Sequence, residues 1–197
     1  MTDMQENPKR KAILAAAHTQ FSQYGYRKTS MEDIAQELGI SRASLYSYFE
    51  NKDEIFRCVS TSLHDQAVAA AKMCLDDHAQ VGDLGLKIES ALLARHRPFQ
   101  YEFARSPHGK ELHDEYSRLC GDIVTESHQQ FQDMLSAALK AGSRRGDVDL
   151  KKAGVTAAQA AELLNLATAG LKRGAADPKT FEKRLRKFAA IFIEGLR

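Results

Sequence analysis

The sequence predicts an all-α protein. Ala, Leu, Glu, Lys, Gln and Arg, all strong helix formers, dominate its 197 residues. Only four prolines interrupt them, at 8, 98, 107 and 178. Strand-like alternating runs flanked by Asn-Gly or Asp-Gly are absent.

The first helix is expected from about Lys9 to Tyr24. Ile13, Leu14, Ala17, Phe21 and Tyr24 fall on one face, and Gly25 follows as a stop. A second starts after Ser30, which caps it with Asp33 in a weaker form of the capping box. Met31, Ile34, Ala35 and Leu38 form its apolar face, and Gly39 ends it. Ser41 caps a short third helix ending near Glu50. Asn51, with Glu54 three residues on, opens a long fourth helix from Lys52 to about Leu75. Asp76, Asp77 and Gly82 break the pattern.

A helix from about Asp83 to His96 is expected to stop at Pro98, and Pro107 with Gly109 marks another break. One long helix then spans Glu111 to Ala141, ending at Gly142, with SRRGDVDL as a loop. Helical pattern resumes from about Thr156 to Lys172. It resumes again from Pro178 to Leu196, behind the acidic cap Asp177. There is no internal repeat of solenoid period. The expected division is a small head, residues 1–52, and a larger helical half, residues 53–197.

Composition narrows the possible functions. At 43% apolar and 27% charged residues the chain can build a packed core. A net charge of +2 makes no case by itself for nucleic acid or membrane. Cys58, Cys74 and Cys120 are odd in number, widely spaced and without a CxxC pair, which fits a reducing compartment. The run Phe188 to Ile193 is far short of the roughly 20 residues a membrane span needs. No apolar segment follows the N-terminal charges, so no secretory signal and a cytoplasmic location are expected.

The second and third helices, separated by Gly39-Ile40, have the pattern of a helix-turn-helix. Leu45 and Phe49 would pack on Ile34, Leu38 and Phe21. That leaves Arg42, Ala43, Ser44 and Ser47 toward the other face or the N-terminal tip, with Tyr46 and Tyr48 flanking the buried stripe. The DNA major groove admits one such helix. Arg42 can give two hydrogen bonds to a guanine edge, Ser44 can donate or accept, and Ala43 can touch a thymine methyl. Tyr46 and Tyr48 can reach phosphates, which set register rather than sequence. Thr29, Ser30 and Lys52 sit at the starts of the second and fourth helices, whose amides favour phosphate; Lys28 and the Lys9-Arg10-Lys11 run add cationic reach, and Ser41, the cap of the third helix, joins the expected DNA-binding set. Tyrosines beside a core stripe are also common packing residues, and a terminal cationic run is commonly just solvated. Residues 1–60 hold eight Lys/Arg and eight Asp/Glu, so DNA binding rests on where the cations sit.

The stretch ILAAAHTQFSQYGYRKTSMEDIAQELGISRASLYSYFENKDEIF resembles the DNA-binding domain of the tetracycline-repressor (TetR) family. The resemblance runs without a gap over about Lys9 to Cys58. It lies in the G-Y-x-x-T-S entry to the second helix, the A-x-x-x-G-I-S turn and L-Y-x-Y-F-x-N-K-D-E. It implies that Tyr46 and Lys52 contact phosphates and that base reading falls to Arg42, Ala43 and Ser44. Beyond residue 60 only the helical layout is similar, so nothing about a ligand transfers.

In the larger half, Phe181, Leu185, Phe188, Phe192 and Leu196 form a stripe on the last helix, with Leu164 and Leu171 on the helix before it. These two helices from each chain could make a four-helix dimer interface, as the resemblance also implies; the last helix alone is basic and amphipathic, a pattern that membrane-surface helices share. A dimer doubles the contacts on a palindromic operator. An effector pocket would draw on His96, Phe99, Phe103, Tyr116, Cys120 and Met134, suiting a planar or anionic small molecule. No HExxH or zinc-type Cys/His spacing occurs, so no metal and no cofactor are expected. No nucleophile elbow or phosphate-binding glycine loop points to an enzyme. The expected protein is therefore a homodimeric transcriptional regulator, a repressor released from its operator by a small-molecule effector. A helical protein-interaction module or a small helical enzyme is the alternative.

Overall fold

The structure, a computed structural model, describes residues 7–76, 83–175 and 177–197, with the backbone alone for 102–105. The expected break at Asp77–Gly82 and the side chain of Phe103 lie outside the described residues. Helices account for the regular structure among them: α1 (Pro8–Tyr24), α2 (Met31–Glu37), α3 (Arg42–Tyr46), α4 (Lys52–Asp76), α5 (Leu84–Arg105), α6 (Gly109–Leu119), α7 (Gly121–Arg145), α8 (Ala157–Lys172) and α9 (Pro178–Glu194). The all-α class expected from the sequence is what the chain adopts.

The chain forms two compact units, Met1–His64 with Glu102–Ile123, and Asp65–Tyr101 with Val124–Arg197. The break therefore falls inside α4 rather than at residues 52/53. Ile55, Phe56 and Val59, on the first turns of α4, belong to the core of the first unit, so compactness does not follow the helix boundary.

In the first unit, Asn7 caps α1 by accepting from the Lys9 amide (2.9 Å), with Pro8 at the first helical position. Ser30 and Asp33 form the full reciprocal box at the start of α2. Gly39, at φ +64°, closes α2: its amide reaches the Gln36 carbonyl (3.0 Å) and the Ile40 amide reaches Ala35 (3.0 Å). This paired closure aims the chain into α3, whose cap Ser41 accepts from the Ser44 amide (3.1 Å). The core joins Ile13, Ala17, Phe21, Ile34, Ala35, Leu45, Phe49 and Phe56. The rings of Phe21, Tyr26 and Phe56 meet pairwise at 5.0–5.7 Å.

The sequence places one helix over 111–141, but the chain divides it into α6 and α7 at Cys120. Arg57 accounts for the break. Its guanidinium donates to the Leu119 carbonyl at the end of α6 and to both Asp122 carboxylate oxygens (2.8 and 2.6 Å) in the first turn of α7. One side chain thus satisfies a helix C-terminus and pairs with the acid of the next N-terminus.

The second unit buries Ile88, Leu92, Phe131, Leu135, Leu139, Leu164, Phe181, Leu185 and Ile193. Here α5 runs on through Pro98, where a stop is expected. An interior proline costs about 3 kcal/mol, and buried anchors on both sides, Leu92 and Phe99, offset it. Helix α7 likewise continues past Gly142. That glycine is needed for packing, since a Cβ there would run into Leu84, and the stop comes at Gly146 (φ +84°). Asp177 caps α9 as expected, and Thr156 with Gln159 forms the capping box of α8.

Candidate nucleic-acid interface

Helix α3 is only five residues long, shorter than the expected run to Glu50. After Tyr46 the chain closes as a turn: the Ser47 hydroxyl donates to the Ser44 carbonyl (2.7 Å), and the Tyr48 amide to Leu45 (3.0 Å). Leu45 and Phe49 are 0% and 1% exposed, which fixes the orientation of the segment. Arg42, Ala43, Tyr46 and Ser47 consequently face solvent, with Ser44 half-buried. Arg42 Nη2 donates to the Tyr46 hydroxyl (3.3 Å) one turn on. The hydroxyl raises the guanidinium pKa further, so Arg42 stays a cation. The pair presents an oriented donor fork from a rigid base.

Tyr48 is half-buried against the core, a packing residue whose carbonyl is the more important group. Arg10 donates to that carbonyl (2.8 Å), lies 4.0 Å over the Phe49 ring, and approaches Glu54 (3.5 Å) and Cys58 Sγ (3.4 Å). Arg10 therefore clamps α1, the end of α3 and α4 together instead of extending the cationic face.

Several other expected contacts are committed internally. Thr29 is 2% exposed, and its hydroxyl donates to the Gly25 carbonyl (2.8 Å). It locks the turn and is not placed to meet phosphate. The amide and hydroxyl of Ser30 both donate to Asp33 (2.8 and 2.6 Å), which holds that carboxyl below its usual range. The Ser30 amide and hydroxyl, with the Asp33 amide, are thus committed to the cap. Lys52 directs its ammonium to the carbonyls of Tyr26 and Thr29 (2.8 Å each) and over the Tyr26 ring (4.3 Å). Two of its three N–H bonds are spent on pinning the loop before α2, and burial lowers its pKa. Ser41 is exposed but serves as the α3 cap, and Lys28 is exposed. Sequence reasoning missed Arg10, Arg57 and the Tyr26–Asp53 hydrogen bond, because their partners lie 27 to 65 residues away and leave no local signal.

The expected effector residues divide between the units. In the second, His96 meets the Phe131 and Phe181 rings edge-on at 6.2 Å each, and Phe99 lies under Arg95 (5.4 Å). Met134 instead lines a surface depression of about 340 Å³ with Lys72, Leu75 and Ala138. In the first, the Tyr116 hydroxyl meets His64 Nε2. Cys120 is fully buried beside Ser60 Oγ (3.2 Å), and burial raises its thiol pKa, so it is not a reactive thiolate. Neither unit gathers the set into one cavity.

The expected dimer face needs correction. Leu164, Phe181 and Leu185 are wholly buried within their own chain and have no surface to offer a partner. Leu171, Phe188 and Phe192 are half-buried. The strongly exposed apolar side chains on α8 and α9 are Leu163, Leu166 and Ile191, at 48%, 63% and 73%. Among the described residues no helix is long and apolar enough to cross a membrane, and no cluster of three His, Cys, Asp or Glu could hold a metal.

A buried-base, exposed-tip α3 behind a glycine-closed α2 defines a helix-turn-helix protein. Residues 13–59 match the family model described as "Bacterial regulatory proteins, tetR family". It is 38% identical over 71 residues to the HTH-type transcriptional regulator RutR of Escherichia coli K12, an alignment covering 36% of this chain and only about a third (34%) of RutR. It is 29% identical over 149 residues to the HTH-type transcriptional repressor KstR2 of Rhodococcus jostii, covering 74% of this chain and 72% of that protein. The fold is similar to that of a transcriptional regulator from Cytophaga hutchinsonii, with a TM-score of 0.80 at 20% identity over 95% and 98% of the two chains.

Proposed function

We propose that the chain is a homodimeric transcriptional regulator that reads duplex DNA with α3. The orientation of α3 carries this reading: Leu45 and Phe49 are sealed in the core, so Arg42, Ala43 and Tyr46 are presented together on the opposite side. Arg42 reads a base edge, Ala43 and Ser44 add contacts, and Tyr46 both orients Arg42 and reaches the backbone. Lys28 and Lys9 give phosphate contacts. A second copy meets this one through the exposed part of α8 and α9, so that two such tips address a palindrome.

The regulator acts as a repressor, the activity named for its relative KstR2, and a small-molecule effector releases it. An effector shifts DNA binding only by its differential affinity for the two states; a hundredfold shift needs about 2.7 kcal/mol. The test is binding of purified protein to a library of duplexes across a salt series. The affinity should fall steeply with salt while a preferred sequence persists. Salt-independent binding, or none to any duplex, would remove the proposal.

A further inference from the structure

One depression in the second unit has a chemistry that the DNA reading leaves unused. It measures about 340 Å³ and is lined by α4, α5 and α7. Each helix brings a stripe at helical spacing: Lys72 and Leu75 on α4, Leu84 and Lys87 on α5, and Met134, Ala138, Ala141 and Arg145 on α7. The alanines leave the room, since at two successive turns of α7 the side chain stops at Cβ. Leu84 forms one wall and is fixed there, because it fills the space that a Cβ on Gly142 would take. The floor is thus apolar and the edge cationic. Lys72, Lys87 and Arg145 stand against one acid, Asp76. Asp76 meets Lys72 at 3.6 Å, but these side chains are 64% and 68% exposed, so water screens the pair and it holds weakly. Arg145 is held by Asp147 (2.7 Å). The Lys87 ammonium has no acidic partner among the described residues, although the residue is half-buried.

We propose that this depression binds a small amphipathic acid, with its apolar body over Leu75, Met134 and Ala138 and its carboxylate at Lys87. The inference deepens the effector reading, on which it rests, by naming the site and the class of ligand. A volume of about 340 Å³ lies at the lower end of the roughly 300–1,000 Å³ typical of small-molecule sites, so one small molecule fills it. A cationic ligand is repelled by three like charges, and a neutral one leaves Lys87 unpaired. A carboxylate gains a charge-assisted hydrogen bond from Lys87. The body displaces water from the leucine, methionine and alanine surface, and the unbranched thioether of Met134 can adapt to its outline. A bare anion gains only the first of these contacts, and an uncharged chain only the second.

Calorimetric titration of the full chain with octanoate, acetate and 1-octanol at fixed ionic strength tests this. Octanoate should bind saturably at one site per chain, and acetate and octanol about tenfold more weakly or worse. Lys87→Gln removes the charged donor and should weaken octanoate about tenfold. Ala137→Phe, at an exposed position lining the depression, should weaken it at least as much by filling the space, with the melting temperature unchanged. Lys140→Gln, at an exposed lysine of α7 outside the lining, should bind octanoate as the parent does. No saturable octanoate binding, acetate or octanol binding as tightly as octanoate, unchanged affinity in both Lys87→Gln and Ala137→Phe, or an equal loss in Lys140→Gln would overturn the site. Duplex binding is titrated separately, without ligand. A chain that binds DNA but not octanoate overturns the site alone; one that binds octanoate but no duplex overturns the regulator reading alone.

Discussion

Arg10 shows how one side chain can be misjudged from sequence and still decide the architecture. Between two lysines it belongs to a cationic run, yet it points inward to the Tyr48 carbonyl and the Phe49 ring. Arg10→Ala should destabilise the protein by about 2 kcal/mol, since it removes a charged hydrogen bond and a shielded cation–π contact. Urea denaturation measures this, and Lys9→Ala, on the exposed neighbour, should stay within about 0.5 kcal/mol of the parent. Lys172 gives a pH signature. Its folded pKa lies near 8, below the usual lysine value, so above pH 8 the unfolded chain binds more protons than the folded one. Stability should therefore rise between about pH 8 and 9.5, by about 1 to 2 kcal/mol. Above that range Tyr26 works the other way, because burial and Asp53 raise its pKa and the folded state resists its ionisation. Chemical denaturation at successive pH values should show the rise, and Lys172→Gln should abolish it.

At the scale of elements, what was legible in the sequence was what is local. The caps at Ser30, Ser41 and Asp177 each depend on residues within three positions, and all three form. The Gly39 turn was legible for the same reason. A Cβ at 39 would meet nothing within 4 Å, so Gly39→Ala acts through φ alone. It should cost about 1–2 kcal/mol and reduce DNA affinity by tilting α3, as read by melting and duplex titration. The misplaced boundaries were set from a distance. Pro98 continues a helix because Leu92 and Phe99 are both buried, Gly142 admits Leu84, and Arg57 divides α6 from α7 across 62 residues. No window along the chain holds those partners. In the candidate interface, the residue types of α3 were legible, whereas the internal commitments of Thr29 and Lys52 needed the fold.

At the scale of the molecule, the apolar stripe of α8 and α9 read from the sequence as a dimer face is largely buried within the chain itself. Periodicity finds the most apolar stripe, and a chain buries that stripe in itself first. What remains outside is Leu163, Leu166 and Ile191, which a soluble monomer would leave in water. The double variant Leu166→Glu, Ile191→Glu should sediment as a monomer with its helix content unchanged, and should lose most of its affinity for a palindromic duplex. A dimer that persists would place the interface elsewhere.

The central claim is that the outward side of α3 reads base pairs. Its most direct test compares the parent and Arg42→Ala on the full set of single-base changes in the preferred duplex, at fixed salt. The account predicts that Arg42→Ala costs about 1–3 kcal/mol on the best sequence and flattens preference at one position in each half-site. An Arg42→Ala profile that matches the parent at every position would contradict it.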